Sequence, residues 1–297
     1  MNWIVNDFKS AFSKPNNAHA QLIIVNVVVF LVLAIMSMIF TVSSARELFI
    51  AIHQQLAIPA SFNDFIYKPW TIITYAFVHD LSGIFHILFN MLVFYWFGRL
   101  FIEYLGSDKL IAIYVLGALA GGLLYLLVYN FIPYYMERMP AMGMVGASAA
   151  VYAVVVGAAT LMPNYQFYLI FLGPVRIKYI AAFYIVISFL GSVGPNEGGN
   201  IAHLGGALIG FVYIRQLQAG NNIGNWIIEV MDTVKGWFKP SSKIKVSYKR
   251  GGAKEKGPVF SKASQAEIDA ILDKISEHGY ESLSKEEKEK LFNASKK

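Results

Sequence analysis

The feature that most constrains this chain is a series of long apolar runs that contain no charged side chain. A helix needs roughly 20 such residues to cross about 30 Å of hydrocarbon. The runs are Leu22 to Phe40, Leu81 to Gly98, Leu110 to Tyr135, Pro140 to Val175, Tyr179 to Pro195 and Gly198 to Ile214. Most of them approach the required length, so the sequence predicts an all-α polytopic membrane protein.

The fourth run is too long for one crossing and is interrupted by Pro163 and Asn164. Because these residue types favour turns, we expect a helix from about Gly146 to Met162. An interfacial stretch rich in Tyr and Phe should follow, up to Arg176. The predicted architecture is therefore a bundle of about six transmembrane helices.

Composition supports a membrane protein and excludes several kinds of chemistry. Hydrophobic residues make up 56% of the chain, charged residues only 15%, and the mean hydropathy is +0.49. The absence of cysteine excludes disulfides, thiolate catalysis, and cysteine-bound zinc or iron–sulfur clusters. Much of the net charge of +6 lies between Lys235 and Lys256, just after the last apolar run. Basic residues there favour a cytoplasmic flank or anionic lipid over nucleic acid.

The distribution of Lys and Arg predicts the orientation, because short cytoplasmic loops are enriched in these residues. One side receives Arg46, Lys68 and Arg138, and the other receives Lys9, Lys14, Arg99, Lys109, Arg176, Lys178, Arg215 and Lys235. Both termini are therefore expected in the cytoplasm, with the loop from Ser43 to about Asp80 outside. A cleaved signal peptide is the alternative for the first run, since Ser43 and Ala45 form a small-x-small site, but the run is longer than a usual signal core.

The residues after Trp237 change character, from apolar to rich in Ser, Lys and Gly, and then to a small amphipathic module. Ser264 with Glu267 and Ser284 with Glu287 are capping-box pairs that predict two helix starts, and Gly279 can end the first helix. The predicted segments are a cytoplasmic N-terminal segment (1–21), a membrane domain (22–215), a juxtamembrane segment with linker (216–260) and a helical module (261–297).

Four polar side chains inside the predicted spans need an explanation, because an unpaired polar group in hydrocarbon costs free energy. They are His86, Asn90, Ser148 and His203. His86 and Asn90 are four residues apart, so they share one helical face and could donate together to an oxyanion. Hydrogen bonding to neighbouring helices is an equally good structural interpretation of this pair.

Ser148 is predicted near the start of the fourth helix, where free N–H groups and the helix dipole stabilise an anion. Gly146 removes a side chain on the approach. The alternative for Ser148 is the hydrogen bond to its own backbone that most intramembrane serines make.

His203, in the sixth span, is followed by Gly206 and Gly210 on the same face, the Gly-x-x-x-Gly pattern of closely packed membrane helices. A second small face, Ala149, Ala153 and Gly157, lies on the fourth span. If the two faces meet, His203 approaches Ser148 and can act as its general base. A purely structural histidine is the alternative.

Together these motifs resemble the rhomboid proteases, over about Pro69 to Arg215. The matching residues are His86-Ile87-Leu88-Phe89-Asn90, Gly146-Ala147-Ser148, and Ala202-His203 with Gly206 and Gly210. The resemblance implies a nucleophile, Ser148, a general base, His203, and an oxyanion hole of His86, Asn90 and the Ser148 N–H. It also implies that Tyr152 supports the histidine ring and that Glu103 is structural.

The sequence therefore predicts an intramembrane serine endopeptidase of the bacterial inner membrane, with a C-terminal extension, that cleaves transmembrane helices near the outer face. It needs no cofactor or metal, and its expected partners are membrane-protein substrates and the lipid bilayer, not nucleic acid. Three alternatives stay open: a catalytically silent relative that binds membrane clients, a transporter or channel, and a zinc protease with His79, His86 and His203 as ligands. The last lacks an H-E-x-x-H motif.

Overall fold

The computed structural model describes residues 10–14, 16–169, 171–238 and 265–294. The chain divides into two compact units, residues 1–240 and 241–297. The first unit contains every predicted site residue. The capping residue Ser264 and the linker lie outside the described residues.

The first unit begins with the apolar helix α1, Ala18–Val42. Asn26, a polar residue on this helix, is fully buried. Its amide donates to the Leu22 carbonyl at 2.8 Å and to the Tyr114 hydroxyl at 3.1 Å. This pairing satisfies a polar group that would otherwise destabilise an apolar helix interface.

The segment between the first two long helices folds into short helices whose arrangement the sequence did not predict. They are α2 (Arg46–Gln54), α3 (Phe62–Tyr67), α4 (Thr71–Thr74) and the 3-10 turn Tyr75–Phe77. Two tyrosines fix this turn to the next long helix, because Tyr75 donates to the Ala118 carbonyl at 2.7 Å and Tyr114 to the Ala76 carbonyl at 2.8 Å.

Helix α5, Ile84–Phe131, extends over 48 residues and covers the second and third apolar runs. Gly106 interrupts it with φ 81° and ψ 172°, a conformation that glycine adopts without steric strain. Helices α1 and α5 are the two described helices that are long and apolar enough to cross a membrane.

The remaining helices of the first unit are α6 (Pro133–Met136), α7 (Ser148–Leu161), α8 (Ile177–Leu190), α9 (Glu197–Gln218) and α10 (Asn225–Phe238). Helices α7 and α8 are apolar but have only 14 residues each, or about 21 Å. Each is therefore shorter than the hydrocarbon core it would have to cross.

The all-α prediction needs one correction, at the stretch expected to be merely interfacial. Two antiparallel strands form there, β1 (Gln166–Leu169) and β2 (Gly173–Arg176), with Gln166 paired to Arg176. Gly173 has φ +70°, which permits the tight return of the chain. The rest of the described structure is predominantly helical.

The core of this unit is α7, enclosed by α5 on one side and α9 on the other. A Cβ on Gly117 of α5 would lie 2.6 Å from the Ala153 methyl. On the opposite side, a Cβ on Gly206 or Gly210 of α9 would collide with the carbonyl oxygen of Ala149 or Ala153. Small residues thus let three backbones approach closely, as van der Waals packing between apolar helices requires.

The second unit contains α11 (Gln265–His278), the 3-10 turn Tyr280–Ser282 and α12 (Lys285–Ala294). Gly279, with φ +79°, follows α11, and the capping box of α12 forms both of its hydrogen bonds, between Ser284 and Glu287. The Ser284 N–H, followed by Lys274 at 2.9 Å, lowers the pKa of Glu287 to about 2. This carboxylate is therefore ionised at neutral pH and forms an ion pair between the two helices.

Candidate active site

The segment before α7 delivers Ser148 to the start of that helix. Ile58 and Met144 exchange two backbone hydrogen bonds of 3.0 and 2.9 Å, and the Gly146 N–H donates to the Tyr75 carbonyl at 3.0 Å. The N-cap residue is Ala147, whose methyl group cannot accept a hydrogen bond. The first N–H groups of α7 are therefore left for partners outside the helix.

Ser148 and His203 meet across the α7–α9 interface. The Ser148 Oγ lies 2.7 Å from the Nε2 of His203, and both side chains are half-buried. The contact depends on the close approach of the two helices one turn further on, where Gly206 packs on the Ala149 backbone. A hydroxyl at this distance from an imidazole nitrogen can transfer its proton during nucleophilic attack.

Two further side chains hold the His203 ring. The ring of Tyr152 lies parallel beneath it, with centroids 4.2 Å apart and an interplanar angle of 12°. Ser188 Oγ lies 3.1 Å from the His203 Nδ1 and 2.8 Å from the Tyr152 hydroxyl. Both imidazole nitrogens and one ring face therefore have a partner.

The space beside Ser148 Oγ is open because residue 146 is glycine. A Cβ at Gly146 would lie 3.4 Å from Ser148 Oγ and 3.5 Å from Cε1 of His86. His86 and the Ser148 hydroxyl thus border the same space.

Asn90 makes a different contact from the one that an oxyanion hole requires. Its Nδ2 donates to the His86 carbonyl at 2.9 Å, one turn back along α5. An amide nitrogen carries two protons, so the second remains for another acceptor. The structure brings Ser148, His203 and His86 together and places Asn90 behind His86.

A cavity of about 1120 Å³ extends to His86. Its walls include Arg46, His53, Asp80, Arg138 and Glu197. The Ser82 backbone N–H lowers the pKa of Asp80, and burial lowers the pKa of His53. The cavity therefore presents an ionised carboxylate and a neutral imidazole, and such polar walls favour hydration.

The zinc alternative has no matching arrangement, because within the described ranges no three His, Cys, Asp or Glu side chains converge on one point. The rings of His79 and His86 do meet, edge to face, with centroids 5.6 Å apart. Burial, with the neighbouring His86, lowers the pKa of the His79 imidazole to about 4. His79 is thus a neutral packing partner of His86.

Sequence reasoning missed Ser188. It is the fully buried polar residue of a helix whose other two buried residues are Ile177 and Ala181. The signal was present, since a hydroxyl in an apolar span needs a partner. Spacing alone could not reveal which residue that partner is.

The fold and the site together define a helical membrane protein with a serine–histidine pair at a helix N-terminus. The family model of the Rhomboid domain matches residues 67–218, about half of the chain, and the chain belongs to this family. The match agrees with the extent expected from the sequence motifs.

A curated relative from Arabidopsis thaliana, RHOMBOID-like protein 12, mitochondrial, is 30% identical over 162 residues. The alignment covers 50% of this chain and 47% of the relative, so the chain spans about half the length of that protein. A second family model, of a family of unknown function (DUF6576), matches residues 261–297.

Proposed function

We propose that this protein is an intramembrane serine endopeptidase that uses Ser148 as nucleophile and His203 as general base. The observation that carries the proposal is the 2.7 Å contact between Ser148 Oγ and His203 Nε2. The hydroxyl proton passes to Nε2 as Oγ attacks a peptide carbonyl carbon. The imidazolium then protonates the leaving amine, and water hydrolyses the acyl-enzyme by the same proton path.

The oxyanion of the tetrahedral intermediate would occupy the space that Gly146 leaves open. The Ser148 N–H and the His86 side chain supply donors to it, and the second Nδ2 proton of Asn90 is available once a substrate is bound. The positive end of α7 adds to the stabilisation, since the dipole of a helix favours negative charge at its N-terminus.

The proposed topology has six crossings: α1, the two parts of α5 on either side of Gly106, α7, α8 and α9. Both termini would face the cytoplasm of a bacterium, residues 22–215 would form the protease domain, and residues 261–297 a cytoplasmic module. The cavity beside His86 would then open to the outer side and deliver water.

The substrates would be single transmembrane helices cleaved near their outer ends. A helix satisfies its own carbonyls, so the substrate must unwind before attack, and residues of low helix propensity should mark the cleavage site.

The test is cleavage of a model single-span substrate by purified full-length protein in detergent. Ser148→Ala and His203→Ala should each abolish cleavage, whereas Ser192→Ala, in the turn that follows α8, should cut like wild type. EDTA should have no effect. A folded wild type that cuts no substrate and resists a fluorophosphonate at Ser148 would instead support a client-binding protein without catalysis.

A further inference from the structure

We infer that Ser188 is a positioning residue that fixes the tautomer of His203, so that a third side chain holds the Ser148–His203 pair in its working orientation. This inference rests on the proposed function. It differs from the dyad inferred from the sequence because it gives the second imidazole nitrogen a defined partner, on a third helix.

The geometry carries the inference. Ser188 Oγ is 3.1 Å from the His203 Nδ1, on the side of the ring opposite the nitrogen that contacts Ser148. The same oxygen is 2.8 Å from the Tyr152 hydroxyl. Tyr152 also stacks on the imidazole, so Ser188 holds the ring by its edge and Tyr152 holds it by its face.

The number of protons sets the direction of the hydrogen bonds. A serine hydroxyl has one proton and two lone pairs, so Ser188 can donate to only one of its two neighbours. If it donates to Tyr152, its oxygen accepts the Nδ1–H of His203. The proton of the neutral ring is then on Nδ1, and the Nε2 lone pair faces Ser148, as a general base requires.

The burial of Ser188 indicates that its hydroxyl has a specific role. Ser188 is completely buried, although most of α8 is exposed and apolar. A serine inside a helix usually bonds to a carbonyl of its own helix. Both hydrogen bonds of Ser188 in the described structure instead leave α8, one to α7 and one to α9.

The experiment compares Ser188→Thr with Ser188→Val in the full-length protein. Threonine and valine have nearly the same shape, so steric effects of the added atoms cancel and the difference between the variants reports the hydroxyl alone. We expect Ser188→Val to lower kcat about tenfold relative to Ser188→Thr, with KM within about twofold, since one neutral hydrogen bond is lost. The rate of fluorophosphonate labelling at Ser148 should fall by the same factor, because that reaction needs no peptide substrate.

Tyr152→Phe provides a second, independent measurement, since it keeps the stacked ring and removes only the acceptor for the Ser188 proton. Its effect on kcat should be smaller than that of Ser188→Val. The effects should not multiply in the double variant, because residues in one hydrogen-bond network are energetically coupled.

Equal activity of Ser188→Thr, Ser188→Val and wild type would overturn the inference and leave the proposed function intact. Equal losses in the two variants would assign the effect to side-chain shape and would also overturn it. A folded wild-type protein that neither cleaves substrate nor reacts with the fluorophosphonate would overturn the proposed function, and the positioning role of Ser188 with it. Ser148→Ala is the control for all three outcomes, since it must neither cleave nor label whenever the wild type does.

Discussion

Helices α7 and α8 both contribute side chains around the Ser148–His203 pair, but they are packed very differently. Both have 14 residues and both are strongly apolar. Eleven residues of α7 are buried, whereas on α8 only Ile177, Ala181 and Ser188 are. Two helices of equal length that are both apolar therefore occupy opposite positions in the fold.

The difference lies in the size of the side chains. Helix α7 consists mainly of Ala, Gly and Val, which allow α5 and α9 to approach its backbone from two sides. Helix α8 carries large side chains that point outward, among them Phe183 (61% exposed) and Phe189 (67% exposed). Ser148 thus lies on a close-packed helix, whereas α8 is mostly exposed beside it.

Among the variants that test this difference in packing, Gly206→Ala should have the largest effect on stability and cleavage. Its Cβ would collide with the Ala149 carbonyl oxygen, so α9 must move away from α7 and carry His203 with it. We expect a loss of about 3 kcal/mol in the free energy of unfolding, together with loss of cleavage. Denaturant titration followed by circular dichroism measures the first effect and substrate cleavage the second.

The matched control is Gly236→Ala on α10, where a Cβ would meet no atom within 4 Å. It should retain wild-type activity and stability. If Gly206→Ala also kept wild-type activity and stability, the close α7–α9 contact would not be needed for either.

Gly146→Ala should lower activity more than its effect on stability explains. Its φ of +141° strains any other residue, and the added methyl would fill the space between Ser148 Oγ and His86. We expect kcat to fall about 100-fold, comparable to the removal of one oxyanion donor. The measurement is kcat alongside thermal unfolding, and a variant with full kcat would show that the oxyanion forms elsewhere.

The smallest effects should come from truncating side chains on the two helices themselves. Val154→Ala, at a fully buried position on α7, should lower the free energy of unfolding by about 1–2 kcal/mol through the cavity it leaves. Phe189→Ala removes more atoms on α8 but should change stability by less than about 0.5 kcal/mol, since its side chain is mostly exposed. A larger loss of stability in Phe189→Ala than in Val154→Ala would contradict the difference in packing between α7 and α8.

Much of this arrangement could be predicted from residue spacing. The Gly206 and Gly210 face implied a close contact with Ala149 and Ala153, and the structure has that contact. The predicted helix from about Gly146 to Met162 is observed as Ser148–Leu161. The catalytic roles of the four polar residues stay predictions until the variants are measured.

Other features depend on contacts between distant residues, which spacing does not encode. The β1–β2 hairpin consists of two strands of four residues that lack a clear alternation of polar and apolar residues, so the sequence indicated only an interfacial stretch. The bridge between Ile58 and Met144 joins residues 86 positions apart. Ser188 was hidden for the same reason, since its partners lie on α7 and α9.

The position of Ser188 on the mostly exposed helix α8 has a consequence for the order of events in a catalytic cycle. An outward displacement of α8 by a few ångströms, as entry of a substrate helix between α8 and its neighbours would require, separates Ser188 from both His203 and Tyr152. The histidine is then free to rotate and to adopt the unproductive tautomer. If the proposed function holds, the Ser148–His203 pair would therefore be correctly oriented only while α8 stays packed against α7 and α9.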